Sequence, residues 1–411
     1  MDWSNRYATR ASRMAASEIR ELLKLLDQPD IISFAGGIPD PALFPRDVIA
    51  SAFQRVLDDP QRSAASLQYS VSEGYQPLRQ WLADYMATRG VTCTADNILI
   101  TNGSQQGLDF LGRLFISPGD TVLVGRPTYL GALQAFNSYE PVYDVLPGRD
   151  NNRTVESYRS SQGGGPKFGY VMPDFQNPSG RTFSLEERNE LLDAAEALGM
   201  ALIEDTAYEQ LYYDGATLPP LQALDIERKG GNIDESSVIY CGTFSKTVVP
   251  ALRIGWIVAP RPVIEKLVLV KQASDLHSST LNQMAMHEVV TNLPPQHMQR
   301  IRATYGVRRD AILRALRQYM PAGVTWTEPA GGMFVWVTLP ESIDAAALLK
   351  LAIEEARVAF VPGGAFFADR SGRNTMRLSF SLNDESKVRT GIERLGRLLH
   401  RMLSDEQRLS A

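Results

Sequence analysis

Four short segments of this 411-residue chain carry side chains suited to chemistry, and each follows a run of apolar residues. In Thr101-Asn102-Gly103-Ser104-Gln105-Gln106, a Gly-Ser pair precedes a helical pattern. Backbone N–H groups, a hydroxyl and the helix dipole there suit an anion. An ordinary strand-to-helix turn capped by Ser104 would give the same pattern. In Pro173-Asp174-Phe175-Gln176-Asn177-Pro178-Ser179-Gly180, the proline holds Asn177 in an extended or turn conformation and so places its amide. A plain surface turn is the alternative. Ile203-Glu204-Asp205-Thr206-Ala207-Tyr208 ends an apolar strand on a carboxylate. Partly buried, Asp205 needs a cation or donors; otherwise it caps the next helix. The fourth segment, Gly242-Thr243-Phe244-Ser245-Lys246, has Arg253-Ile254-Gly255 beginning seven residues after the lysine. Buried lysines lose pKa and become amine nucleophiles toward carbonyls. Thr243, Ser245 and Arg253 suit a phosphate.

Taken together, the segments supply a nucleophilic amine, a carboxylate, a phosphate cup and polar groups for a ring hydroxyl. Pyridoxal 5′-phosphate (PLP) needs this set: a lysine for the Schiff base and an acid for its pyridine nitrogen. Other chemistries lack their residues. The sequence has no G-x-x-x-x-G-K-[ST], no G-x-G-x-x-G after a strand, no H-E-x-x-H and no G-x-S-x-G. The histidines His277, His287, His297 and His400 have no ligand spacing, and Cys93 and Cys241 match neither a zinc site nor a disulfide framework. No metal is expected.

The elements that must position these residues follow from patterning. Strands are predicted at 97–101, 121–124, 168–172, 201–203, 238–241 and 254–258, with helices at 104–115, 130–136 and 184–198 between them. Ser184 and Glu187 form the spacing of a capping box. Such alternation predicts an α/β sheet, mostly parallel and covered on both faces, with ligands beyond the strand carboxyl ends. From about 294 the pattern changes to a long helix (296–319), a strand (333–338), a helix (345–356), a strand (377–380) and a terminal helix. An amphipathic helix is expected at 18–26, and the glycine run 163–165 reads as a loop.

Composition agrees with a folded enzyme. Hydrophobic residues are 44% and charged residues 22%, which excludes disordered, collagen-like and coiled-coil classes. The net charge of −5 argues against nucleic-acid and anionic-membrane binding, since both need clustered basic charge. The sequence shows no signal-peptide pattern and no apolar run of about 18–20 residues, so a cytoplasmic location is expected.

At this point the chain resembles the fold-type I PLP-dependent aminotransferases of class I/II. The order and spacing of segments match along essentially its whole length, and Ser245-Lys246 followed by Arg253-Ile254-Gly255 is the most specific signature. Ser17 to Glu21, Ser33 to Pro39, Asp275-Leu276-His277 and Phe360 to Gly364 are similar to the 2-aminoadipate and kynurenine aminotransferase branch. The resemblance implies a large domain with a seven-stranded, mostly parallel sheet and a smaller α+β domain. Its division here is 1–45 (N-terminal helix, arm and start of the small domain), 46–293 (large domain) and 294–411 (small domain).

The resemblance also implies roles. Lys246 would hold PLP as an aldimine and then act as general base and acid. Asp205 would pair with the pyridine nitrogen, and Tyr208 and Asn177 with the phenolic oxygen. Tyr129 would stack on the ring. Ser104, Gln105, Ser245 and Arg253, helped by Thr243, would bind the phosphate. Tyr69 would reach a phosphate in a neighbouring subunit, which requires at least a homodimer. Arg377, in Met376-Arg377-Leu378-Ser379, would grip the substrate α-carboxylate. Gly37 would line the substrate pocket beside Asn177, and Arg20 would read a distal carboxylate; a surface arginine is the alternative for Arg20. The activity implied is transfer of an amino group from an L-amino acid to 2-oxoglutarate. A PLP lyase or decarboxylase, or a non-catalytic PLP-binding regulatory protein, are the alternatives. Regulators that carry this fold behind a winged-helix domain are disfavoured, because the matching pattern starts within the first 20 residues.

Overall fold

The computed structural model describes residues 3–14, 30–148, 151, 153–159 and 165–410. Arg20, the helix expected at 18–26 and most of the glycine-rich loop lie outside them.

A seven-stranded sheet runs β2 (Ile98–Asn102), β8 (Ile254–Val258), β7 (Val238–Thr243), β6 (Ala201–Asp205), β5 (Phe168–Val171), β3 (Thr121–Val124), β4 (Val142–Val145). Pairings among β3 to β7 are parallel, while β8 runs antiparallel to both β7 and β2. The inner strands are buried along nearly their whole length, as expected of a sheet covered on both faces. Side chains alternate between the faces. Ile239, Cys241 and Ile257 join one core with Leu108 and Leu111 of the helix Ser104–Phe115. Tyr240, Trp256 and Val258 join the opposite core with Leu82, Met86 and Met286. Each such buried aliphatic side chain stabilises the fold by roughly 1.5–3 kcal/mol.

The capping box at Ser184 is present. Its hydroxyl accepts from the Glu187 N–H at 3.1 Å and Glu187 Oε2 accepts from the Ser184 N–H at 2.8 Å. The helix Leu185–Leu198 ends at Gly199 in the left-handed region.

A second sheet, β12 (Val361–Pro362), β13 (Thr375–Ser379), β10 (Phe334–Thr338), β9 (Thr325–Trp326), is antiparallel. The helices Gln296–Tyr319 and Glu385–Ser410 pack together beside it through Ile312, Leu316, Leu395 and Leu399. The predicted helix 345–356 is α-helical over Ala345–Leu351 and widens to a π-helix at Ala352–Ala356. Apolar spacing over so short a stretch does not separate the two windings. Far apart in sequence, β1 (Ile32–Ser33) pairs in parallel with β11 (Val358–Ala359), tying an early segment of the chain to its last quarter. No helix among the described residues is long and apolar enough to cross a membrane.

Candidate active site

The carboxyl ends of β2, β6 and β7 meet the segments singled out by sequence. Asp205 closes β6 and is 2% exposed. Tyr170, from the neighbouring β5, donates its hydroxyl to Asp205 Oδ2 at 2.8 Å. The other oxygen, Oδ1, is buried with no hydrogen-bond partner among the described residues. Burial pushes the carboxyl up to about 6; the Tyr170 bond, the nearby Ala207 backbone and the Lys246 charge oppose the rise.

Lys246 follows β7. Burial first, then the charges of Arg253 and Arg377, bring its pKa down to about 8, with Asp205 opposing. Its Nζ donates to the Gly37 carbonyl at 3.4 Å and lies 5.9 Å from the Tyr208 ring centroid. Lys246 and Tyr129 are half-buried. Tyr129 is raised to about 12 by burial and by the Asp205 charge. Tyr208, raised by burial, sits beside Asn177, whose amide offsets part of that rise.

Arg377 is 1% exposed at the centre of β13. Its Nη1 donates to Asn177 Oδ1 and its Nη2 to the Ala35 carbonyl, each at 2.8 Å. The guanidinium lies 4.3 Å from the Phe334 ring centroid and 5.1 Å from that of Phe366. Nε has no partner among the described residues, and burial lowers the pKa to about 10. A buried cation with spare donor capacity, between two aromatic faces, is suited to a carboxylate.

The cup for an anion rests on two glycines. Gly103 has φ +76°, and a Cβ there would sit 2.9 Å from Arg253 Cζ. Gly255, which pairs with Thr101 on one side and Thr243 on the other, lies against the Gly103–Ser104 backbone; a Cβ on it would come within 2.6 Å of Ser104 N. Arg253 Nη2 donates to the Asn102 carbonyl and Nη1 to that of Pro250, each at 3.3 Å. Thr243 Oγ1 donates to Ser245 Oγ at 2.9 Å and accepts from the Ser245 N–H at 3.1 Å. Ser104 opens the helix Ser104–Phe115. The Gln105 side-chain amide is committed to the Gly131 carbonyl at 2.7 Å, which leaves its backbone N–H as the group available at the helix end.

One predicted residue stands apart. Tyr69 is 80% exposed, and its ring meets His277 edge-on at 5.9 Å. Sequence reasoning missed Tyr170 and Phe334, which in apolar strands are indistinguishable from core residues, and Phe366, which ends the short helical turn Gly363–Phe366.

The family described as Aminotransferase class I and II matches residues 29–395. The chain belongs to this family. It is 43% identical to aromatic-amino-acid aminotransferase 1 of Thermococcus litoralis, over 96% of this chain and 94% of that one. It is 41% identical to the 2-aminoadipate transaminase of Thermus thermophilus, over 98% and 99%. The crystal structure of an alpha-aminoadipate aminotransferase from Thermus thermophilus, complexed with N-(5′-phosphopyridoxyl)-L-leucine, superimposes with a TM-score of 0.87 at 40% identity, over 98% of this chain and 100% of that one. This aminotransferase thus has the fold-type I architecture, is PLP-dependent and acts on amino acids. Its residues fit the cofactor: Asp205 Oδ1 offers a buried acceptor without a donor among the described residues, and the two glycines let β8, the Gly103–Ser104 turn and the Arg253 guanidinium approach closely, which gathers donors suited to a phosphate.

Proposed function

We propose that the enzyme moves the amino group of an L-amino acid to 2-oxoglutarate in two half-reactions, with Lys246 as the lysine joined to the cofactor. The observation that carries this reading is the half-buried Lys246 amine just beyond the end of β7, 3.4 Å from the Gly37 carbonyl and 5.9 Å from the Tyr208 ring centroid, with its pKa brought down to about 8 by burial, Arg253 and Arg377. Bound PLP supplies an electron-accepting ring and an aldehyde. Lys246, once its amine is free, would act as the general base toward the substrate α-carbon proton and as the general acid that gives the proton back. Asp205 holds a proton at the pyridine nitrogen. Tyr208 and Asn177 would hold the ring oxygen, and Tyr129 would stack on the ring. Ser104, the Gln105 N–H, Thr243, Ser245 and Arg253 hold the phosphate. Arg377 binds the α-carboxylate in a fork, with Asn177 and Gly37 beside it.

The enzyme works as a homodimer in this reading, with Tyr69 reaching the partner's phosphate. Support comes from the solvent-open apolar run Leu67, Tyr69 and Val71, exposed by 71%, 80% and 56%, which a partner would cover. For the donor, similarity to both an aminoadipate and an aromatic-amino-acid enzyme favours broad use, with Arg20 reading a distal carboxylate when one is present.

The test is the first half-reaction, followed by stopped-flow absorbance with L-2-aminoadipate and with leucine, for wild type and Arg20→Ala. Fast conversion to the pyridoxamine form with both donors, and selective slowing of aminoadipate in the variant, is the expected result. Equal effects of the substitution on both donors would return Arg20 to a surface role. No conversion with any amino acid would sink transamination itself.

A further inference from the structure

Behind the Gly103–Ser104 turn lies an ion pair, its lysine buried and its aspartate half-buried, that the roles above do not use. Lys271, in the last turn of the helix Arg261–Gln272, has no exposed side-chain surface. Its Nζ lies 3.0 Å from both Asp275 oxygens, 3.0 Å from Ser278 Oγ and 3.2 Å from Gln106 Oε1. Asp275 Oδ2 also accepts from Asn102 Nδ2 at 2.7 Å and from Gln106 Nε2 at 2.8 Å. Gln106 Oε1 in turn accepts from the Asn102 backbone N–H at 2.9 Å. Asn102 is therefore held at both its amide groups, and its carbonyl is the one that receives Arg253 Nη2.

Such a pair is weak evidence for stability, because desolvation of the buried Lys271 charge offsets its attraction to Asp275. Its geometry points elsewhere. Every hydrogen bond it makes beyond its own helix end and Ser278 goes to Asn102 or Gln106, which flank the Gly103–Ser104–Gln105 turn. We infer that Lys271 and Asp275 are positioning residues for the cofactor phosphate. They lock the end of β2 and the first helical turn so that the backbone N–H groups and Arg253 stay converged on one anion. Neither residue touches the cofactor. The inference rests on the phosphate-cup reading above and goes beyond it.

The experiment titrates the cofactor-free enzyme with PLP and, separately, with pyridoxal, which lacks the phosphate, reading the visible absorbance of the bound form. The ratio of the two affinities measures the grip on the phosphate. In Asp275→Asn and Lys271→Met we expect PLP affinity to fall about tenfold and pyridoxal affinity to change less than about twofold, as for a lost contact that only the phosphate feels. A PLP-to-pyridoxal ratio near one in the wild type would overturn the cup and this inference with it. A large wild-type ratio that persists in the variants would overturn the inference alone. Equal weakening of both ligands would assign the pair a purely structural role and also overturn it. Should either variant fail to fold, Asn102→Ala leaves the ion pair in place, and the same three outcomes are read from it.

Discussion

Asp205 shows how single residues divide their labour here. Its carboxyl is buried against its own ionisation, and Tyr170 supplies the one side-chain donor that favours the charge. Tyr170→Phe removes that donor, so the Asp205 pKa rises further and its hold on a ring-nitrogen proton weakens. A hydrogen bond to a charged group contributes about 1.5 kcal/mol at least, so kcat/KM should fall by roughly tenfold. An unchanged steady-state rate would show that Tyr170 only packs. The same carboxyl makes a stability prediction for the cofactor-free protein. A pKa raised from 3.8 to about 6 penalises the charged form in the folded state. That penalty, about 3 kcal/mol at 1.36 kcal/mol per unit, is fully present above pH 6 and gone below pH 3.8. Asp205→Asn should therefore melt higher than wild type at about pH 8, with the gap closing as pH falls toward about 4. A gap independent of pH would count against the burial argument. Lys246 and Asp205 stood out in the sequence because each lies at the end of an apolar strand, and Arg377 because Met376-Arg377-Leu378-Ser379 matches a family segment. Tyr170 did not, since its partner lies on the next strand and nothing in its own segment marks it.

At the scale of elements, the cup depends on how closely β8 and the β2–helix turn approach. Gly255→Ala would press a methyl onto the Ser104 backbone, with no flexible side chain there to yield. Overpacking of that kind costs about 1–3 kcal/mol. PLP affinity should fall by roughly tenfold or more, seen as lost visible absorbance at limiting cofactor, and full retention would mean that the two backbones can part freely. Periodicity foresaw the strands flanking this turn and the capping box at Ser184, whose donors and acceptors are local. Direction was less visible. An apolar strand buried on both faces reads the same in either sense, so the antiparallel run of β8 left no mark in Ile254 to Val258. The short strand β4, with its half-exposed residues, was also not foreseen.

At the scale of the whole molecule, the exposed Tyr69 makes the strongest demand. If each site borrows it from a neighbour, two inactive variants should repair each other. Lys246→Ala and Tyr69→Ala, unfolded together and refolded in equal amounts, should give about one quarter of wild-type activity, because half the dimers are mixed and each holds one intact site. No recovery would place Tyr69 outside the chemistry of the partner. The change of pattern near residue 294 foresaw the long helix Gln296–Tyr319 and the strand β10 that follow it. The closure of the molecule by β1 on β11 was not foreseen, since two residues per strand carry no periodicity.

That closure has a consequence for how the protein is born. Synthesis on the ribosome delivers β2, β6 and β7 well before residues 358–379 emerge, so the cofactor cup can assemble while the substrate grip cannot. Gly37 and the Ala35 carbonyl wait for β11 and for Arg377 to arrive. A nascent chain halted near residue 300 would hold the Lys246 pocket without an arginine to receive an amino acid. The order of the elements along the chain thus places the Lys246 segment ahead of β11 and Arg377, so the surroundings of Gly37 and Ala35 are the last to be completed.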